Sequence, residues 1–320
     1  MTRAFRALAC ALLLLAADGC VREQEPALRI GTNVWIGCEP LYLARELGVM
    51  NPKMVQLVEY PSASEVLRAF RNEAIDGMVV SLDELFGLVS EGLQPRAILV
   101  VDVSHGADAV VGRAGMRSMK DLKGRRVAVE SGALGAFVLS RALTLNGMQA
   151  SDVKVVRLES NEQPSAFEKG QVDAAVTFDP YRGELLRAGA RSLFDSTQIP
   201  GEIVDLVAVR ARVLDSQPKS VRALLSGWFA AVDYLGREPS DAARRMGIRQ
   251  QTTGEQFLAA LHGLHIPSRE ENLRMLGGPS PELAVGGRRL MDLMLEARLL
   301  RAPLNIESVL APGPLASLKP

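Results

Sequence analysis

The sequence predicts an α/β protein built from two similar lobes, because strand and helix patterns alternate and one pattern occurs twice. The segment AFRNEAIDGMVV begins at Ala69, and AFEKGQVDAAVT begins at Ala166, which is 166 − 69 = 97 residues later. The same spacing relates LRIG at 28–31 to RRVA at 125–128. A spacing that stays constant over several elements indicates a duplicated structural unit.

Each copy of the unit is predicted to follow the order β-α-β-α-β. Short apolar runs indicate the strands, and apolar residues three or four positions apart indicate the helices. Gly48 and Gly147 can end the first helix of each copy. We expect strands at 28–31, 55–60, 75–81, 125–128, 153–158 and 172–178, and helices at 38–49, 62–73, 132–148 and 161–170. Such alternation produces a parallel sheet covered by helices on both faces.

Two further strands are expected to connect the lobes. Residues 97–103 lead into the second lobe, and residues 203–210 lead back. The chain therefore divides into a first lobe of 28–102 with 206–320 and a second lobe of 103–205. The C-terminal part is mostly helical, and an apolar stripe at 218–236 indicates helices that pack on the first lobe. Two lobes on two crossing strands form a hinge with a cleft between them.

The N-terminus is typical of an exported protein. Arg3 and Arg6 precede a short apolar run, so residues 1–20 are predicted to be a secretory signal. The run is too short for a permanent membrane span. Cys20 follows Gly19 as in the bacterial lipoprotein box, although Asp18 departs from it, and we expect Cys20 to be lipidated. Residues 21–27 would form a polar tether to the membrane on the periplasmic side; the alternative is a cleaved, soluble secreted protein.

Composition narrows the possible partners. Lysine plus arginine and aspartate plus glutamate number 37 each, so no nucleic-acid partner is expected. With Cys10 and Cys20 in the signal, Cys38 remains alone and cannot form an internal disulfide. His262 and His265 lie three apart on a predicted helix without a third ligand nearby, so we expect no metal site and no cofactor.

Three motifs, in this order, resemble the solute-binding proteins of nitrate/sulfonate/taurine-type ABC importers. They are GTNVWIGCEPLYLARELGV at 31–49, SMKDLKGRRVAVESGALGAFVLSRAL at 118–143 and AFEKGQVDAAVTFDPY at 166–181. The resemblance covers roughly residues 28–240. It implies the type II periplasmic-binding-protein fold, no catalysis, and delivery of a small solute to an ABC permease and its ATPase.

Ligands of open parallel sheets bind beyond the carboxyl ends of the strands. Those ends are predicted at 32–38, 81–84, 130–134 and 178–181, together with the crossover loop 104–108. The candidate ligand-binding residues are Trp35, Glu39, Tyr42, Ser81, Asp83, His105, Ser131, Gly132, Ala133, Phe178, Asp179 and Asp205.

Several of these candidates have a defined expected role. Ser131 to Ala133 precede a helix whose free N–H groups suit an anion, and the resemblance implies that this loop holds the acidic group of the ligand. The alternative is an N-cap serine beside a turn glycine. Trp35 can stack on a ligand, and Phe178 stands where the family often has tryptophan. Asp205 could bind an amine or tie the hinge.

The remaining candidates have structural alternatives. Tyr42 could offer its hydroxyl to the cleft or pack on the sheet, Asp83 could cap a helix, and His105 could be a surface donor. Together, Glu39, Asp83, Asp179 and Asp205 outnumber nearby cations. This charge favours an organic solute that carries an amine or a heterocyclic N–H over nitrate, and the change to Phe178-Asp179-Pro180 argues against simple sulfonates.

Two alternatives to a transport receptor remain open. A sensor would use the same pair of lobes without a permease. A thiamine-pyrimidine-type binding protein or an enzyme could also share the fold, but the fungal thiamine-pyrimidine synthases carry a cysteine-rich iron-site motif that this chain lacks. Cys38 beside Glu39 is a weak nucleophile candidate because no histidine base is placed beside it, so we expect no enzyme activity.

Overall fold

The computed structural model describes residues 25–130 and 132–318. The predicted signal, the predicted lipidation site Cys20 and the first four residues of the predicted tether lie outside the described residues. The last residues of the predicted tether are described, and Glu25 among them binds the start of the helix at 218–237. The carboxylate of Glu25 accepts the backbone N–H groups of Lys219 and Ser220 at 3.0 and 3.2 Å.

Eleven strands in the described residues form two separate sheets. The first sheet has the order β11-β4-β10-β3-β1-β2, and the second has the order β7-β6-β8-β5-β9. The strands are β1 (Leu28–Asn33), β2 (Val55–Tyr60), β3 (Gly77–Ser81), β4 (Pro95–Ser104), β5 (Ala109–Gly112), β6 (Arg126–Val129), β7 (Lys154–Arg157), β8 (Ala174–Thr177), β9 (Arg191–Asp195), β10 (Val204–Arg210) and β11 (Leu264–His265). This is the two-lobed α/β architecture that the sequence predicts.

The helices cover these sheets. They are α1 (Glu39–Glu46), α2 (Ala63–Arg71), α3 (Leu82–Ser90), α4 (Ala133–Leu145), α5 (Gln163–Glu168), α6 (Tyr181–Arg187), α7 (Val213–Ser216), α8 (Pro218–Arg237), α9 (Pro239–Arg249), α10 (Gly254–Leu261), α11 (Arg269–Leu276), α12 (Glu282–Glu296) and α13 (Gly313–Ala316). The C-terminal helices pack on the first lobe, as expected: α8 lies against α1, and α12 lies against α3. In the described residues, no helix has both the length and the apolar content that a membrane crossing needs.

The two sheets share one internal arrangement. In each, three strands are parallel, and the next strand runs antiparallel to them: β10 beside β3, and β5 beside β8. The pairing of β1 with β3 aligns Ile30 with Gly77, and that of β6 with β8 aligns Val127 with Ala174. Both partners differ by 97 positions (127 − 30 and 174 − 77), so the sequence repeat is also a repeat of strand register.

The repeated segment carries an ion pair that is the same in both lobes. Asp76 accepts the backbone N–H and two guanidinium N–H groups of Arg29 at 2.8 to 3.0 Å. Asp173 accepts the same three groups of Arg126 at 2.9 to 3.1 Å. Each carboxylate precedes one strand and binds both the backbone and the side chain of an arginine near the start of the neighbouring strand. It therefore holds the amino ends of the two strands together.

In each lobe a second arginine, at or just after the end of the antiparallel strand, also contacts the repeated segment. The guanidinium of Arg210 lies 4.1 Å from the centre of the Phe70 ring, and Arg113 lies 4.6 Å from that of Phe167. Both arginines also donate to the carbonyl of the buried aliphatic residue five positions after the phenylalanine, which is Ile75 or Val172. The repeated sequence segment therefore stabilises the amino ends of the strands in each lobe. We call these contacts of Asp76 and Asp173 with their arginines the brace.

The chain passes between the sheets in two short segments. It leaves β4 after Ser104 and enters β5 at Ala109, and it returns through residues 196–203. The hydroxyls of Ser104 and Ser196 lie 2.7 Å apart, so the two segments touch. The sequence predicts that the strands themselves cross between the lobes, but β4 and β10 both belong to the first sheet. The division of the lobes at 102/103 and 205/206 remains a prediction.

Removal of either repeated carboxylate should cost stability by a similar amount. We expect Asp76→Asn and Asp173→Asn each to lower the free energy of unfolding by about 1–2 kcal/mol, because each loses a charge-assisted bond to a partly exposed arginine. Urea unfolding measures this. The exposed Asp233→Asn on α8 is the control, and equal stability of all three variants would contradict the brace.

Candidate functional site

A cavity lies between the lobes at the carboxyl ends of strands from both sheets. It holds about 650 Å³ of space outside protein atoms, including its open mouth. Its aliphatic wall comes from β3 and α4, which contribute Val79, Val80, Leu134 and Val138. Seven polar or charged residues complete the lining: Asn33, Ser81, Glu84, Asp108, Glu130, Thr177 and Asp205. Four of them, Asn33, Ser81, Glu84 and Asp205, lie on or beside strands of the first sheet, and the other three lie on or beside strands of the second, as a guest held between two lobes requires.

The aromatic wall joins the lobes directly. Trp35 of the first lobe and Phe178 of the second make an edge-to-face contact with ring centres 5.2 Å apart. The indole N–H of Trp35 donates to Asp102 Oδ2 at 3.2 Å. Gly37 is required beside this pair, because a Cβ there would overlap both the indole and the carboxylate. Trp35 is thus oriented by β4 while its ring faces the cavity.

Two carboxyl groups face each other across neighbouring strands at the base of the cavity. Asp205 on β10 pairs in register with Asp102 on β4, and both are buried. Burial, followed by the charges of Asp102 and Asp108, raises the pKa of Asp205 well above its usual range. Burial also raises the pKa of Asp102 to about 7, although the Trp35 N–H opposes this. Two buried acids this close favour sharing a proton.

Three more acids extend this cluster. Burial raises the pKa of Asp108 to about 6. Burial and then the charges of Asp83 and Glu130 raise the pKa of Glu84 to about 8. Burial raises the pKa of Glu130 as well, against the hydrogen bonds that it accepts from Ser160 and Ser64. The shared cause is removal from water in a region rich in negative charge.

The start of α2 connects the lobes at the rim of the cavity. The backbone N–H of Ser64 donates to Glu130 Oε1 at 3.0 Å, and its hydroxyl donates to Glu159 Oε2. Both glutamates belong to the second lobe. Phe137 on α4 is fully buried and packs with the apolar core of the first lobe. These contacts hold the two lobes closed in this structure.

Five of the predicted site residues line the cavity. They are Trp35, Ser81, Gly132, Phe178 and Asp205. Ser131 lies outside the described residues, and Ala133 is the first residue of α4. Among the lining residues, sequence reasoning did not single out Asn33, Glu84, Asp108, Glu130 and Thr177. Glu84 had a usable signal, because Ser81 and Glu84 have the spacing of a helix capping box.

The expectation that Glu39 and Tyr42 contact a ligand needs correction, because both side chains are buried away from the cavity. Glu39 accepts hydrogen bonds from Gln250 Nε2 at 2.6 Å and Arg249 Nε at 3.1 Å. The hydroxyl of Tyr42 lies 2.5 Å from Thr32 Oγ1, and the guanidinium of Arg249 stacks 3.6 Å from its ring centre. Both residues tie α1 to neighbouring elements.

Asp83, His105 and Asp179 also do not line the cavity, which corrects those expectations. Asp83 is buried within the first turn of α3, where Ser81 rather than Asp83 is the cap. His105 is exposed, and its backbone N–H donates to the Gly263 carbonyl. Asp179 instead accepts the N–H of Gly183 and borders an outer groove between the lobes.

The candidate nucleophile and the histidine pair have structural explanations. Cys38 is fully buried, and burial followed by the charge of Asp205 raises its thiol pKa well above the usual value. His262 follows the last residue of α10 as its C-cap, whereas His265 lies on β11 and contacts Glu271 at 3.1 Å. The two histidines are therefore not neighbours on one helix, contrary to expectation.

A family model described as the NMT1-like family matches residues 22–248 of this chain. The chain belongs to the NMT1-like family. It is 29% identical over 206 residues to a protein of Escherichia coli K12 named as an aliphatic sulfonates-binding protein. That alignment covers 59% of this chain and 61% of the relative, so it spans about three fifths of the relative's length.

Solved structures show the same fold. The alkanesulfonate-binding protein SsuA of Xanthomonas axonopodis pv. citri, bound to MOPS, superposes with a TM-score of 0.71 at 21% identity, covering 90% of this chain and 97% of that protein. The desulfurization enzyme DSZB superposes with a TM-score of 0.66 at 16% identity, covering 91% and 98%. The predicted type II periplasmic-binding-protein fold is confirmed, and this fold also carries an enzyme.

The acidic cavity should make the NMT1-like protein less stable as the pH rises. The folded pKa of Glu84 is raised from 4.5 to about 8, so between these values the folded state binds more protons than the unfolded state. Stability should therefore be highest near the low end of this window and fall towards pH 8, by about 1.4 kcal/mol per pH unit for each extra proton.

Urea unfolding of solute-free protein across this pH range measures the slope. Glu84→Gln should flatten it, whereas the exposed Glu270→Gln on α11 should leave it unchanged. A stability that rises steadily from about pH 5 to pH 8 would show that the cavity acids are ionised without cost.

Proposed function

We propose that this protein is an exported solute-binding receptor that captures a small organic molecule between its lobes and delivers it to an ABC importer of the nitrate/sulfonate/taurine type. The observation that carries this proposal is the cavity at the carboxyl ends of both sheets, lined from both lobes and placed beside the two crossing segments. Closure of such lobes encloses a guest, and their opening releases it.

The lining supports an organic solute. Aliphatic side chains from both lobes and the Trp35–Phe178 pair form most of the wall. Apolar walls with a few placed polar groups are typical of sites for small organic molecules. A nitrate ion would instead need positive charge, and none of the described lining residues is a lysine or arginine.

The proposed setting is the periplasm. The sequence predicts export, and the related protein of Escherichia coli is named for the binding of aliphatic sulfonates. We propose that Cys20 carries a lipid that anchors the receptor to the membrane and that residues 21–24 lead from it to Glu25 at the start of α8. The partners would be the permease and ATPase subunits of the importer, with no nucleic acid.

We also propose that the protein is not an enzyme, although DSZB shares the fold. A nucleophilic cysteine needs an exposed thiolate and an activating base. Cys38 is fully buried, and its raised pKa keeps the thiol protonated. The cavity acids can instead hold a guest by accepting its hydrogen bonds.

The receptor should retain its solute during purification, and native mass spectrometry should detect a complex whose extra mass matches one small organic molecule. Trp35→Ala should weaken binding of that molecule several-fold, because stacking contributes about 0.5–1.5 kcal/mol. Isothermal titration measures the affinity.

The control is Trp228→Phe, because Trp228 is fully buried in the core on α8. This variant should lose stability and keep its affinity for the solute. Purified protein that carries no solute and responds to none in a broad metabolite screen would contradict the receptor function, whereas unchanged affinity in Trp35→Ala would remove only that residue from the site.

A further inference from the structure

The cavity is lined by more acidic than basic groups. Four carboxyl groups line it, those of Glu84, Asp108, Glu130 and Asp205. Behind them lie further acids: Asp83 and Asp102 add to the negative field at Asp205. Arg182 on α6 is the cation that acts on Asp108, and its Nη1 donates at 2.6 Å to the Gly106 carbonyl in the hinge. It does not line the cavity.

The buried polar atoms of the lining that have no protein hydrogen bond among the described residues include a carboxylate oxygen and a hydroxyl. Asp108 is 4% exposed and Thr177 is 2% exposed, yet Asp108 Oδ2 and Thr177 Oγ1 make no hydrogen bond. A buried polar atom left unsatisfied costs about 1–3 kcal/mol. The unsatisfied carboxylate oxygen points to a guest that donates hydrogen bonds.

The usual anion position in this fold region already has a carboxylate beside it. Gly132 precedes α4, whose first turn offers free N–H groups. A Cβ at Gly132 would lie 2.6 Å from Glu84 Oε1, so this carboxyl group from the first lobe sits against the start of the helix. The Glu84 carboxyl group therefore occupies space beside these N–H groups, and an anion bound there would oppose its ionisation.

The aromatic wall suits a positive group as well. Trp35 and Phe178 both line the cavity, and a cation within about 6 Å of such ring faces is attracted by the π electrons. The aliphatic residues on β3 and α4 provide a separate apolar surface for the rest of the molecule. The charge and shape of the cavity therefore favour a solute that has a polar end with hydrogen-bond donors and an apolar end.

We propose that the captured solute is an organic cation, a protonated amine attached to an aromatic or aliphatic group, whose N–H donors bind Asp108, Asp205 and Glu84. This inference rests on the proposed receptor function and narrows the class of its solute. It separates this protein from a receptor for simple sulfonates, which carry only negative charge.

The pH dependence of affinity distinguishes the two classes. The groups that face Asp205 are Asp102, Asp108, Glu84 and Asp83, and those that face Glu84 are Asp83 and Glu130. All are acids, with Arg182 opposing them only at Asp108. A cation displaces protons from this cluster and binds more tightly as the pH rises. An anion would need the protonated carboxyls as donors and would bind more weakly as the pH rises.

The experiment uses matched probes that share one apolar group and differ only in the head group. Phenethylammonium, phenethylsulfonate and phenethyl alcohol form one set, and butylammonium, butanesulfonate and butanol form another. Isothermal titration at equal concentrations and low salt is run with the purified protein at about pH 6 and about pH 8. We expect the ammonium member of a set to bind most tightly and to gain affinity at the higher pH.

Variants test which residues are responsible. Asp205→Asn and Glu84→Gln should each weaken binding of the ammonium probe about tenfold, as loss of a hydrogen bond to a charged group does. Glu270→Gln, exposed on α11, is the matched control and should bind as the parent does. Both cavity variants remove repulsion between acids, so their melting temperatures should not fall.

Each outcome decides the inference. Preferential ammonium binding that depends on Asp205 and rises with pH supports it. Tighter binding of a sulfonate or alcohol, or no binding of either ammonium probe, overturns it. Sulfonate binding would leave the receptor function intact, whereas the absence of any retained solute in native mass spectrometry would count against the receptor function itself.

Discussion

Repulsion among the buried carboxyl groups between the lobes is the constraint on which the rest of the site depends. Two unit charges 4 Å apart interact by about 4 kcal/mol at an effective dielectric constant of 20. Several such groups cannot all be ionised in a closed cavity unless protons or a positive guest offset them. Burial, and after it the charges of neighbouring acids, raises the pKa values of Glu84, Asp102 and Asp205 above their usual range.

The contacts that close the lobes act against this repulsion. The start of α2 binds two glutamates of the second lobe, and Phe137 enters the core of the first. At the hinge, Ser196 is buried and its hydroxyl contacts Ser104 and accepts the N–H of Gly106. The contacts at α2, Phe137 and the hinge therefore favour closure of the lobes, whereas repulsion within the carboxyl cluster opposes it. A small change of charge in the cavity can shift that balance.

The duplicated sequence predicts the scaffold well because its repeated residues do structural work at the amino ends of the strands. Arg29 with Asp76, and Arg126 with Asp173, repeat atom for atom. At the carboxyl ends the two copies differ: Trp35 corresponds to Gly132, and Ser81 corresponds to Phe178, each 97 positions apart. The two lobes thus share one scaffold but present different side chains to the cavity. Such a difference suits a solute whose two ends differ.

The residues that sequence reasoning misplaced share a physical cause. Glu39 lies at a predicted strand end, but its partners Arg249 and Gln250 are more than 200 positions away, at the C-terminal end of α9 and just after it. Tyr42 follows the same helix face and packs under the same arginine. Conversely, Asp108 and Glu130 lie within the predicted cleft edges, yet only the packing of the lobes shows that their carboxyl groups face one cavity.

The most direct test of this account is small-angle X-ray scattering of the solute-free protein between about pH 5 and pH 9. If charge in the cavity controls closure, the radius of gyration should increase as the carboxyl groups ionise, and replacement of Asp205 and Glu84 by their amides should keep the protein compact at every pH. A radius of gyration that is independent of pH in the parent protein would contradict the account.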